Sequence, residues 1–199
     1  MKKTVIKGAQ IVTMDGKGTI LNGDVLIEGS RIAQVAESID EKADETVHAA
    51  GKTLLPGFVQ THIHLCQTLF RGRADDLELL DWLKKRIWPL EAAHDEESVY
   101  YSAMLGIGEL LRGGTTTILD METVHHTESA FRAIEASGIR AISGKVMMDA
   151  GGGVPAELHE DTDRSLAESE RLLNRWHGAA GGRIGYALSP RFVVSCTEE

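Results

Sequence analysis

The chain has 199 residues, 42% of them hydrophobic, and carries 30 acidic against 21 basic side chains for a formal net charge of -9. The apolar share is enough to bury cores in one large or two modest domains. The negative balance repels phosphate backbones and anionic membranes, which argues against a nucleic-acid or membrane-surface module. No apolar stretch approaches membrane-spanning length, and Lys2-Lys3 is followed by no uninterrupted apolar signal segment. Cys66 and Cys196 lie far apart with no C-x-x-C pair, so both are expected to be unpaired thiols of a reduced, cytoplasmic protein.

Residues 4–14 and 24–35 read as short strands, through Val5, Ile6, Ile11 and Val12 and then Val25, Ile27, Ile32 and Val35. Gly29-Ser30 suits a tight hairpin turn with Gly first. Residues 40–44 form a polar loop and residues 47–55 return to extended structure. The first 55 residues are therefore expected to be a small all-β piece, with a domain boundary near residue 55.

From Pro56 the pattern changes to strand followed by helix, the signature of a parallel sheet covered by helices. After a strand ending near His64, Asp75-Asp76 is placed to cap a helix with Leu79, Leu80, Leu83 and Ile87 on its apolar face and Pro89 at its end. A second helix is expected from Asp95 to Arg112, with Val99, Ala103, Ile107 and Leu110 on one face and Gly113-Gly114 as its stop. Residues 115–120 then read as a strand, 127–137 as a helix closed by Gly138, 139–148 as a strand, 163–176 as a helix closed by Gly178, and 183–189 as a strand. Four strands with intervening helices make about half of an eightfold β/α barrel, which typically needs about 250 residues. Residues 56–199 are thus expected to be the first half of a TIM-type barrel, an α/β fold left incomplete in this chain, whose sequence stops at Glu199. An open doubly wound sheet is the alternative, but no Gly-rich phosphate turn follows the first strand.

Leu54 to His64 is the stretch with most chemical content. Side chains alternate along a strand, so His62 and His64 point the same way, and two imidazoles at a strand end make half of a metal site. Two polar strand-end residues bonded to carbonyls would give the same pattern. Asp120 and Glu122 end the second barrel strand; Asp120 is placed toward the mouth, whereas helix capping or loop solvation suits Glu122. His125-His126 reads as a pair of solvent-facing loop residues or as support for other ligands, and Lys145, inside the third strand, has no assigned role. Glu91 alone is an ordinary acid at a helix end. Arg191-Phe192 offers a guanidinium and a ring at the mouth, suited to a flat heteroaromatic ligand or, equally, to a structural arginine. Asp149-Ala150-Gly151-Gly152-Gly153 is a flexible loop after the third strand. No Ser-His-Asp set, phosphate loop or Cys-rich zinc module is present.

Taken together, Leu55-Pro56-Gly57-Phe58-Val59-Gln60-Thr61-His62-Ile63-His64 resembles the metal-binding first barrel strand of the amidohydrolase superfamily. Residues 65–77, Asp81-Trp82-Leu83, Ile87-Trp88-Pro89-Leu90-Glu91, and Leu111-Arg112-Gly113-Gly114-Thr115-Thr116-Thr117 through Asp120-Met121 are similar to its adenosine-type deaminases, which act on 5′-deoxyadenosine, 5′-methylthioadenosine or S-adenosylhomocysteine. The resemblance implies an incomplete β-sandwich segment over residues 1–55 beside the β/α barrel, and one divalent metal, zinc or alternatively iron, held by His62 and His64 together with later residues. It implies that Glu91 holds ribose hydroxyls. Gln67, Arg191 and Phe192 match positions at which related guanine deaminases grip the purine. The implied activity is hydrolytic deamination of a purine nucleoside, with a guanine, ammeline or triazine aminohydrolase as the alternative, and a non-catalytic assembly subunit as the alternative of another class. The family's third ligand His, its proton-shuttling Glu and its metal-bound Asp fall beyond Glu199 by this matching, so no catalytic acid or base is assigned within these residues. The expectation is weak metal binding and no turnover by this chain alone. The remainder of the barrel or a second chain would complete it, as a homo-oligomer.

Overall fold

The computed structural model describes residues 1–198. Glu199, the residue beyond which the family's remaining ligands and its acid and base are expected, lies outside the described residues. The chain divides into two compact units, Met1–Gly57 and a second beginning at Phe58. The first is a five-stranded sheet in which β1 (Lys3–Val12), β2 (Ile20–Glu28), β3 (Arg31–Ala36) and β4 (Glu45–His48) lie in the order β3-β2-β1-β4, with β5 (Thr53–Leu54) also pairing β1. β1–β2 and β2–β3 are antiparallel, while β4 and β5 run parallel to β1. Alternation, with its phase shifted at the irregularity between Ile6 and Ala9, puts Ala9, Ile11 and Val25 in one apolar cluster, and Val5 and Leu26 with Ile39 in another. Gly29, at φ 60°, turns the β2–β3 hairpin.

Nothing local in the sequence hints at the role of Asp24. Its carboxylate accepts from Gly8 N (2.9 Å) at the irregularity in β1 and from Ile39 N (3.0 Å), tying strand to loop. These bonds, the Ile39 amide first, hold Asp24 below the usual aspartate range. A carboxyl depressed in the folded state adds stability above the unfolded value of about 3.9 and loses it as pH falls through the folded value. The first unit is expected to weaken on acidification below about pH 4, and Asp24→Asn to flatten that dependence. Urea unfolding followed by far-UV CD at pH 3 and pH 6 checks it.

In the second unit β6 (Phe58–Ile63), β7 (Thr115–Asp120), β8 (Arg140–Ser143) and β10 (Ile184–Tyr186) form a wholly parallel sheet in the order β10-β8-β7-β6, and β9 (Val146–Met147) pairs β11 (Ser189–Pro190) in parallel. Two of the expected strands are therefore each broken in two. At the break, Gly144 lies so close to the Ala187 carbonyl that a Cβ there would be 1.8 Å from its oxygen. The flanking backbone groups bond elsewhere, Ala187 N to Ser143 O (2.9 Å) and Glu122 N to Gly144 O (3.1 Å).

The first helical segment also differs from expectation. It starts at α1 (Leu79–Trp82) with Glu78, not Asp75-Asp76, before it, because Asp76 is in a left-handed turn at φ 64°. Leu79 and Leu80 are exposed, and Leu83 and Ile87 carry the burial. Pro89 does not end the segment. A π turn (Leu83–Ile87) carries Trp88 N back to the Leu83 carbonyl, and α2 (Trp88–Ala92) begins with Pro89 in its first turn, where a missing N–H costs nothing.

The remaining helices follow their spacing. Asp95 caps α3 (Glu96–Arg112) reciprocally with Ser98, and α4 (Thr127–Ser137) ends at Gly138 with φ 80°. Asp161 caps α5 (Thr162–Trp176). Val99, Ala103 and Ile107 of α3, Phe131 and Ile134 of α4, and Leu172 and Trp176 of α5 pack on Ile118, Ala141 and Ile184 of the sheet. On the other face Val59, Leu119 and Ile142 remain exposed. Parallel sheets bury both faces, so this apolar side is the interior surface of a β/α barrel, of which the chain holds the N-terminal strands. No helix among the described residues is long and apolar enough to cross a membrane.

Candidate active site

Three groups stand at the C-terminal ends of parallel strands, the end at which β/α barrels place their chemistry. His62 and His64 end β6, Asp120 and Glu122 end β7, and Arg191 follows β11. Glu91 comes from α2, in the connection between β6 and β7.

His62 and His64 project together, their rings in edge contact with centroids 4.9 Å apart. His64 Nδ1 lies 2.7 Å from the Met121 carbonyl. A carbonyl only accepts, so the proton sits on Nδ1 and the Nε2 lone pair is left to bind a cation. Burial, reinforced by neighbouring His62, lowers the His64 pKa and keeps the ring neutral, the form that ligates. These donors suit two positions of a zinc-type site. Among the described residues no group of three or more His, Cys, Asp or Glu converges on one metal position.

Beneath the histidines is a set of buried acids. Asp120 accepts from Leu65 N (2.9 Å) and Ser143 Oγ (2.6 Å), and burial raises its pKa to about 6. It thereby fixes the backbone just after His64. Glu122 was expected in solvent or at a helix cap; it is 1% exposed, one carboxylate oxygen has no protein partner, and burial and then Asp120 raise its pKa well above the usual value. The cause is the turn after β7, which folds back onto Gly144 rather than outward. His94, which the sequence did not single out, bonds the Cys66 carbonyl (2.8 Å) and Ser98 Oγ (2.9 Å), holding the turn that carries Gln67. Its signal is position alone: it stands one residue before the Asp95 cap.

Gln67, Glu91 and Arg191 meet. Arg191 grips Glu91 bidentately, Nη1 to Oε2 at 2.5 Å and Nη2 to Oε1 at 3.0 Å, and Gln67 Nε2 donates to Glu91 Oε1 at 2.9 Å. The Arg191 and Glu91 side chains are 3% and 1% exposed. Arg191 therefore does not stand beside Phe192 as a free guanidinium at the mouth. Phe192 is partly exposed, and its backbone N donates to Ser195 Oγ.

The other polar residues are structural. Lys145 is fully buried and bonds Glu160, Ser165 Oγ (3.1 Å) and the Val146 carbonyl (3.1 Å). His125 Nε2 pairs the Glu157 carbonyl at 2.7 Å, and His126 precedes α4 in a left-handed conformation. Asp149 is no free loop end: it accepts from Thr197 N, Thr197 Oγ1 and Thr162 Oγ1, bonds that hold its pKa at about 2. Cys66 and Cys196 are unpaired, with Cys66 buried and its thiol pushed well up by burial.

The chain is 38% identical over its whole length to a 5′-deoxyadenosine deaminase of Methanosarcina acetivorans, of which it spans 44%. It is 37% identical to a 5-methylthioadenosine/S-adenosylhomocysteine deaminase of Symbiobacterium thermophilum, aligned over 98% of the chain and 44% of that protein. Among solved structures, E. coli guanine deaminase superimposes with a TM-score of 0.83 at 29% identity, covering all of this chain and 48% of that one. The chain thus spans less than half the length of the curated relatives it matches. Residues 53–199 match the model of the Amidohydrolase family, and with His62 and His64 at the strand end that this fold uses for chemistry, the chain belongs to that family.

Proposed function

We propose that the chain carries the metal-binding first strand and much of the substrate pocket of an aminohydrolase acting on a purine nucleoside of the 5′-deoxyadenosine type. The observation that carries this reading is the His62–His64 pair, with the His64 tautomer set by the Met121 carbonyl; the deaminase names of the relatives support the reaction class. A divalent metal held by His62 and His64, zinc in first place, would supply hydroxide near neutral pH from a water whose pKa falls to about 7. Asp120 holds the backbone that follows His64. Gln67, over the Arg191–Glu91 pair, and the exposed face of Phe192 would orient the nucleoside. A free-base reading is favoured by one observation, the likeness to guanine deaminase at 29% identity.

The test couples metal and substrate. Zinc titration is expected to show an affinity at least about tenfold lower in His64→Gln than in the native chain. Ammonia release by the protein completed to the length of its relatives is expected from 5′-deoxyadenosine rather than guanine. Release from guanine alone would establish the free-base reading; unchanged zinc affinity in the variant would remove His64 from the site.

A further inference from the structure

One face of α3 points away from the sheet and is bare among the described residues. At about 3.6 residues per turn, Glu97, Tyr101, Leu105, Gly108 and Arg112 share an arc of about 80°, opposite the stripe of Val99, Ala103 and Ile107 that packs on the strands. All five are exposed, Tyr101 to 57% and Leu105 to 46%. In a β/α barrel a neighbouring helix lies along a flank and leaves the outward face open, as α4 does here with Arg132 5.7 Å from the centre of the Tyr100 ring. Tyr101 meets that ring edge-on, centroids 5.4 Å apart, and so is steadied from within its own chain. A Cβ added at Gly108 would meet nothing within 4 Å. Among the described residues neither Glu97 nor Arg112 forms an ion pair.

We propose that this face docks on the same face of a second copy of the chain, the two α3 helices running antiparallel about a two-fold axis between Met104 and Leu105. A patch that binds itself must be self-complementary, and the order of these side chains is. Such an axis sets each residue against the one equally far beyond it. Glu97 of one copy then meets Arg112 of the other, and Tyr101 lies on the bare backbone of Gly108, each contact made twice. A parallel pairing would instead set Glu97 against Glu97 and Arg112 against Arg112. Tyrosine and arginine are favoured at interfaces and lysine is disfavoured; the face carries the first two and no lysine. A single pair of helix faces covers less than the roughly 800 Å2 per partner of a standard interface, so association is weak, with Kd on the order of tens of micromolar. The chain is then a monomer when dilute and a dimer when concentrated.

Sedimentation velocity over a concentration series that brackets this Kd, combined with charge reversal, tests it. Glu97→Arg and Arg112→Glu are each expected to weaken the dimer about tenfold, because each sets two like-charged pairs across the axis. The double variant Glu97→Arg/Arg112→Glu is expected to restore it, since the reversed charges again meet their opposites. Tyr101→Asp is expected to leave only monomer. These positions are exposed, so every variant should keep the native far-UV CD spectrum. A native chain that stays monomeric throughout overturns the proposal. A dimer that none of the variants moves overturns the choice of face; association through the open sheet edges at β6 and β10 would give that result. Single variants that weaken the dimer with no recovery in the double variant overturn the antiparallel register.

Discussion

Arg191→Leu is expected to destabilise the unit beginning at Phe58 by about 3–5 kcal/mol, the cost of leaving one member of a buried ion pair without its partner. The pair spans 100 residues of sequence, joining α2 to the end of β11, and both side chains are almost wholly out of water. Removing the guanidinium leaves the Glu91 carboxylate buried with Gln67 Nε2 as its remaining side-chain donor. The expected pattern is asymmetric. The double variant Glu91→Leu/Arg191→Leu should recover most of the loss, because apolar replacement of both partners removes the uncompensated charge. All three tryptophans, Trp82, Trp88 and Trp176, lie in this unit, so urea unfolding followed by tryptophan fluorescence reports it without contribution from the first unit. Equal destabilisation in the single and double variants would mean that packing, not charge, dominates the site.

Much of the framework is legible in the sequence because it is encoded locally. The spacing of Val99, Ala103 and Ile107, the Asp95 cap and the glycines at 113 and 138 mark α3 and α4 to within a residue of their observed ends. The β-branched run 115–120 is β7 as read. What escapes the sequence is set by distant partners. Nothing near Gly144 says that the Ala187 carbonyl will fill the space a side chain would need, so a continuous strand is the natural reading of residues 139–148. Glu122 is polar and follows a strand, which reads as solvent until the turn folds inward. The site shows the same division. His62 and His64 declare themselves by alternation within one strand, whereas Glu91 and Arg191 have no local signal that they meet, and the family resemblance names both without joining them.

Gly144→Ala is the second substitution with a large expected effect, at least about 3 kcal/mol, the upper range for forcing extra atoms into a packed interior. The added methyl would lie 1.8 Å from Ala187 O and 3.0 Å from Ala187 C, so backbone, rather than a side-chain tip, must move. The movement has a direction. Ser143, one residue before, donates to Asp120, and Ser189 and Pro190, just after the crowded carbonyl, carry Arg191 toward Glu91. Separating the strands at this level therefore pulls on both the support beneath His64 and the ion pair beneath Gln67. Gly108 is the internal control, since it lies on the exposed side of α3 with nothing within 4 Å of an added Cβ. Gly108→Ala is expected to stabilise by about 0.5–1 kcal/mol through the helix propensity of alanine alone. Unfolding midpoints of the two variants, read by the same fluorescence, should move in opposite directions. If Gly144→Ala matched the native protein, the close approach of the two strand breaks would not be what holds Arg191 in place.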